Sequence, residues 1–395
     1  MSTTEIQQVV RALSARQPVT SPQDKPLQRI TVLGGGADGC ALACLCLAAG
    51  CEVTLFSAYA GDLRPLRERG AITVRGTGPV GTYQIGQEDV PSIHLTSSLD
   101  EAVIAADAIF VTGPVLKQRT YAMVLAGHLR DEQTVVIAPG RTLGAVETAW
   151  YLRVGGNTSD ISIVELQSLP FWVEERDTTL RLSVSGPVTA AVLPSGRSTV
   201  LRALNNLIPD LVPVASVLHS GLGDASGLIE TVALTLGGPA LGDGLVDLPP
   251  GAEPLSERRV FRTLLGDRHT RIVSALAAER RAVAARWGVR NLPGTDEWLD
   301  HFAGTLSGEG VRPLPAHEQA DHLIRCATMG SLVPLKSAAE VAGIPVPATT
   351  AMIELAHQNI GGDLLNAGRR LDTMGFAGAK LDEVRRQLDE LTVAG

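Results

Sequence analysis

A chain of 395 residues with 45% hydrophobic and 19% charged residues holds enough apolar material for two packed cores, which excludes a disordered protein. Acidic residues outnumber basic ones, 42 to 34, and no basic run is present, so nucleic acid is not an expected partner. Uncharged stretches such as residues 39–51 fall short of the ~18 apolar residues that cross a bilayer. No signal-like segment opens the chain, so a cytoplasmic protein without membrane attachment is expected.

Residues 1–27 read as a polar lead-in with a short helix near 6–14. A strand at 30–33, a helix at 41–49 and a strand at 52–56 then form one βαβ unit with a glycine turn inside it. Apolar runs at 108–111, 134–138 and 161–165 continue the parallel pattern, while 180–185 and 190–193 alternate like edge or antiparallel strands. Helical periodicity takes over after Pro209, at 257–287, 316–327, 337–341, 349–366 and 381–391. The expected fold class is an α/β Rossmann domain (a doubly wound parallel sheet) over 28–205, followed by an all-α domain over 206–395. The segment 237–254, rich in Gly, Pro and Asp, reads as a mobile loop.

Gly34-Gly35-Gly36-Ala37-Asp38-Gly39 matches G-x-G-x-x-G, and its place between a strand and a helix makes it a dinucleotide site. Gly34 serves the tight turn, Gly36 the approach of the pyrophosphate, and Gly39 the close packing of helix on strand. Where an acid would bind the ribose 2′-hydroxyl stands Ser57, with Arg64 and Arg67 nearby. That tilts the expectation toward NADP, while Asp62 in the same loop keeps NAD open. Thr112-Gly113-Pro114 follows the strand 108–111 and is expected at the ribose and nicotinamide, with a plain structural turn as the competing reading. Cys40, Cys44, Cys46 and Cys51 read as buried small apolar residues rather than a metal site.

Four further segments resemble the octopine/nopaline dehydrogenase family, the opine dehydrogenases. They are Ala138-Pro139-Gly140-Arg141-Thr142-Leu143-Gly144-Ala145-Val146-Glu147, Glu165-Leu166-Gln167-Ser168-Leu169-Pro170-Phe171, Ala191-Val192-Leu193-Pro194, and Leu332-Val333-Pro334-Leu335-Lys336 with 342–347. Gly368-Arg369-Arg370-Leu371 is similar to the family's closing element. The resemblance implies a Rossmann domain joined to a helical domain, and the reductive condensation of an amino acid with a 2-oxo acid. It also implies that Gly140 and Arg141 lie near the cofactor.

The resemblance further implies a catalytic histidine opening the helical domain and an aspartate on a later helix. Here Glu230-Thr231 stands in place of His-Pro, Asp224 and Ser226 stand near the motif's asparagines, and Ala327 replaces the aspartate. Glu230, among Leu228, Ile229, Val232 and Ala233, is therefore the candidate acid/base, its carboxyl expected to be raised toward neutrality by apolar burial. A role-free surface glutamate is the competing reading, and His219 and Asp224 are further candidates. Arg141, Arg312 and Arg325 are candidates for substrate carboxylates. His317, Asp321 and His322 read as a solvated helix face, and Lys336 as an exposed lysine at a helix start.

Three readings follow: an opine-type NAD(P)-dependent oxidoreductase with altered acid/base residues, a simple hydroxy/keto dehydrogenase on the same scaffold, or a dinucleotide-binding protein without catalysis. The partner is a small molecule, and monomer and homodimer are both open.

Overall fold

The computed structural model describes residues 26–176, 179–237, 260–308, 310–315 and 317–388. The helix expected near 6–14 lies outside them, as does the loop 237–254 beyond Gly237.

Twelve strands form one sheet: β1 (Arg29–Leu33), β2 (Glu52–Phe56), β3 (Ala71–Gly76), β4 (Gly81–Ile85), β5 (Ser92–Thr96), β6 (Ala108–Val111), β7 (Thr134–Ile137), β8 (Ser162–Leu166), β9 (Phe171–Arg176), β10 (Thr179–Val184), β11 (Val188–Leu193) and β12 (Leu211–Pro213). Their order is β12-β11-β8-β7-β6-β1-β2-β5-β4-β3-β10-β9. Every pairing from β8 across to β4 is parallel. The flanks are mixed, with antiparallel pairs at β11/β8, β3/β4 and β9/β10. The central strands β6, β7 and β8 are buried at every position, the continuous apolar run of a sheet covered on both faces.

The chain leaves β1 toward β2 on one side and returns through β6 on the other, so strand order reverses between β1 and β6. In sheets of this kind ligands bind in a crevice at that reversal, at the carboxyl ends of the strands. Cys40, Cys44 and Cys46 are buried in the helix Ala37–Ala48, where burial pushes the Cys40 thiol up to about 12. They pack as small core residues against the sheet.

After β12 every described element is helical. The helix Ser226–Leu236 is buried along nine consecutive residues and packs with the helices Asp267–Arg286, Thr295–Ala303, His317–Ala327 and Pro347–Ile360. The run expected at 349–366 is two helices, Pro347–Ile360 and Leu364–Ala367. The helix expected from 337 starts at Val333 and continues a π turn over Thr328–Leu332.

Candidate active site

The glycine turn is built by backbone contacts that leave no room for side chains. Gly34 takes φ 123°, and a Cβ there would lie 2.2 Å from Thr112 Oγ1, while one on Gly39 would lie 1.8 Å from the Gly34 carbonyl oxygen. Thr112 locks the two halves of the crevice together: its N–H and its hydroxyl both donate to the Leu33 carbonyl, at 3.0 and 2.8 Å. At Gly36, by contrast, a Cβ would meet nothing within 4 Å. Gly36 caps the helix Ala37–Ala48 without any side-chain hydrogen bond, so the helix N–H groups and the positive end of its dipole face open space. This cradle fits a pyrophosphate.

At the end of β2, buried Ser57 donates through Oγ to Asp62 Oδ2 at 2.8 Å. A Cβ on Gly35 would lie 3.5 and 3.6 Å from the Cβ atoms of Ser57 and Asp62, so the Asp62 carboxylate sits beside the glycine turn. Arg64 is 78% exposed and lies 3.7 Å from Glu68 along its own helix. On the other side of the crevice Gly113 has φ 92°, its carbonyl accepts from Gln118 Nε2 at 2.9 Å, and Pro114 caps the helix Val115–Leu125.

The loop between β7 and the helix Gly144–Val154 carries Arg141. Arg141 and Leu143 both sit in the left-handed region, at φ 55° and 62°, each costing of order 1–3 kcal/mol. A buried cation holds them there. Arg369 donates to the carbonyls of Gly140 (2.6 Å) and Thr142 (3.3 Å), to Glu147 Oε2 (2.8 Å) and to Gln118. Arg119 completes the network, donating to Glu147 Oε1 at 2.7 Å and to the Ala367 and Gly368 carbonyls. Gly140 abuts Glu165, whose Cγ would lie 2.3 Å from a Cβ there.

Glu165 is fully buried, accepting from Ser220 Oγ at 2.6 Å and from the Ala145 N–H at 2.9 Å. Burial outweighs those hydrogen bonds and raises its carboxyl to about 7.

Glu230 sits between two guanidiniums. Arg141 Nη1 donates to Oε2 at 2.9 Å and Arg312 Nη2 to Oε1 at 2.7 Å. Arg312 is itself sandwiched by rings, its guanidinium carbon 4.1 Å from the centre of Phe261 and 5.9 Å from that of Trp172. Burial alone would raise the Glu230 carboxyl, but Arg141 and Arg312 prevail and hold it below the usual carboxylate range. The expectation of a Glu230 carboxyl lifted toward neutrality is thereby corrected: flanking cations, absent from its local sequence, reverse the sign. Nor is it a surface residue, being 5% exposed.

Asp224 is also buried, but as a structural group. Its Oδ1 accepts the Ser226 N–H at 2.9 Å and its Oδ2 accepts Thr142 Oγ1 at 3.2 Å. It is the counter-charge to buried Arg280, which burial lowers to about 10 and which donates to Gly221, Leu222 and Ser331. His219 is half-buried on the helix Val217–Gly223, and burial lowers its imidazole. No contact joins it to Glu230 or Arg141 among the described residues.

The residues thus brought to one place are Asp38, Arg141 and Glu230. Arg141 and Glu230 act on the Asp38 carboxyl, which burial raises. The structure adds two residues that were read as surface groups or not singled out. Lys117 lies beside Gly113, its Cδ 3.6 Å from where a Cβ would be. His322 lies with Nε2 3.5 Å from Cys326 Sγ, and Arg141, Lys117 and Arg325 all act on its charge. The spacing His322, Cys326, one helical turn apart, was the available signal.

No protein-family model matches the chain. An opine dehydrogenase of Arthrobacter sp. (strain 1C) is 26% identical over 377 residues, spanning 91% of this chain and 98% of the relative. Among solved structures, octopine dehydrogenase in complex with NADH and agmatine superposes with a TM-score of 0.65 at 16% identity, covering 90% of this chain and 97% of that one. D-mandelate dehydrogenase with NADH and anilino(oxo)acetate superposes with a TM-score of 0.61 at 14% identity, covering 86% and 100%. No described helix is long and apolar enough to cross a membrane. The chain resembles opine dehydrogenases over nearly its whole length and is a nicotinamide-dinucleotide-dependent oxidoreductase.

Proposed function

We propose that the protein reductively condenses an amino acid with a 2-oxo acid, and that it prefers NADH to NADPH. The observation that carries the substrate class is the excess of cations in the crevice. Lys117, Arg141 and Arg325 all act on the charge of His322, and Glu230 is already neutralised by Arg141 and Arg312. Among the described residues Arg141 bonds only through Nη1, to Ser226 and Glu230, which leaves its Nη2 edge for a ligand. An opine-type product carries two carboxylates, and this set of cations can meet both.

The NADH preference rests on Asp62. Its carboxylate, anchored on Ser57 at 2.8 Å, is an acceptor for a ribose hydroxyl and repels a 2′-phosphate. Arg64 stands out in solvent against Glu68. This geometry supports NAD as the preferred cofactor.

Bound in the cradle, the dinucleotide supplies the hydride. The N–H groups at the start of the helix Ala37–Ala48 would hold the pyrophosphate, Thr112 and Gly113 would line the other side of the glycine turn, and Arg141 and Lys117 would orient the oxo acid by its carboxylate. A plain 2-oxo acid reduction needs only one of these cations, and the fold likeness to D-mandelate dehydrogenase favours it as the second reading.

Following nicotinamide oxidation with a panel of 2-oxo acids and amino acids separates the readings. Oxidation that requires both partners supports opine synthesis. Oxidation by an oxo acid alone refutes it in favour of the plain dehydrogenase, and tight NADH binding without oxidation refutes both.

A further inference from the structure

The helix His317–Ala327 and the π turn after it present one stripe to the crevice: His322, Cys326 and Gly330, on successive turns. Gly330 is pressed against the Rossmann side, where a Cβ would lie 2.9 Å from Arg141 Cδ and 3.3 Å from Val115 Cγ2, and its carbonyl accepts the Thr142 N–H at 2.9 Å. Cys326 is buried one turn back, within reach of the charges of Arg141, Glu230 and Asp38. His322, a further turn out, reaches the surface while its ring stays partly buried, and Lys117 acts on its charge. The stripe therefore runs from the buried contact of Gly330 with Arg141 outward to the surface at His322.

We propose that His322 is the catalytic proton donor of this crevice, and that a substrate carboxylate seated against Lys117 and Arg141 is what charges it. The assignment deepens the function proposed above and rests on it. Burial raises the Cys326 thiol to about 11, so it stays protonated at neutral pH and can hydrogen-bond His322 Nε2. Among the described residues Nδ1 has no partner, and it is the nitrogen left for substrate.

The groups acting on His322 are Arg325 from its own helix, Arg141 from the loop after β7 and Lys117 from the helix after β6. Partial burial and these three cations together hold the free imidazole below its ordinary value. An anion bound among them removes the repulsion, and His322 takes up a proton from solvent.

The chemistry then balances. The neutral amine adds to the carbonyl carbon to give a carbinolamine. The imidazolium proton goes to its hydroxyl, the C–O bond breaks and water leaves. The hydride reduces the resulting iminium carbon to a secondary amine, and the dinucleotide is oxidised.

The test is calorimetric titration of the full chain, held with NAD⁺ so that no reduction occurs, with pyruvate at pH 7.5 in phosphate and in Tris. The difference in heats reports proton uptake, expected at most of one proton per site. In His322→Gln the uptake should fall at least about fivefold with pyruvate still bound, and kcat should drop about 10²–10⁴-fold with NADH affinity unchanged. Uptake that survives His322→Gln, or pyruvate binding without uptake in the native chain, overturns this assignment and leaves the proposed function standing. Failure of the native chain to bind pyruvate or any other 2-oxo acid overturns both.

Discussion

Replacing Glu230 by glutamine tests whether the Arg141–Glu230–Arg312 cluster is an ionised clamp. Glutamine keeps the shape but puts an amide N–H₂ where one carboxylate oxygen accepts, either from Arg141 at 2.9 Å or from Arg312 at 2.7 Å. Two guanidiniums with 12% and 9% side-chain exposure are then left without their counter-charge. Breaking a buried pair in this way costs about 3–5 kcal/mol, and with two cations the upper half of that range is expected. Urea unfolding at pH 7, followed by tryptophan fluorescence, reads it directly. The native carboxyl is held below its unfolded value, so its contribution is complete above about pH 4.5 and is lost as pH falls through the folded value. The gap between native and variant should therefore be constant from pH 8 to 5 and narrow only in stronger acid. A variant within about 1 kcal/mol of native at pH 7 would refute the clamp.

Two glycines should separate folding from binding. A Cβ at Gly36 would meet nothing within 4 Å, so Gly36→Val should cost no more than the about 1 kcal/mol of an unfavourable helix N-cap while lowering NADH affinity at least about tenfold, because its side chain fills the pyrophosphate cradle; Gly39→Ala should lower stability further, since its Cβ collides with the Gly34 carbonyl. Equilibrium binding and urea midpoints on both variants check this. Glu165, raised to about 7 in the folded chain, holds its proton there more tightly than when unfolded. Stability should therefore decline as pH rises from about 5 to 8, and Glu165→Gln should flatten that decline in parallel denaturation profiles.

The dinucleotide cradle was legible in the residues themselves because its causes are local. A glycine turn between an apolar strand and a helix is specified within about ten residues, and Gly34, Gly36 and Gly39 keep in the fold the places their spacing implies. The strand run 180–185 was legible for the same reason, as period-two alternation with one face buried. The strands β3, β4 and β5 were not. They carry exposed and half-exposed positions instead of a continuous apolar run, and become strands by pairing with neighbours that local propensity does not reveal.

The chemistry of the crevice was the least legible part. Glu230 is buried, one of the two readings its apolar neighbours left open, but its ionisation is set by Arg141 and Arg312, 89 and 82 residues away in the chain. His322 was read as a solvated helix residue, because the residues that give it a role come from three separate elements. Sequence alone determines what short stretches impose on themselves, which here means the glycine turn, the alternation of strand and helix, and the motifs resembling opine dehydrogenases. Charge state and convergence belong to tertiary structure, because an electrostatic interaction depends on distance in space and on exclusion of water, and neither is written in the spacing of residues along a chain.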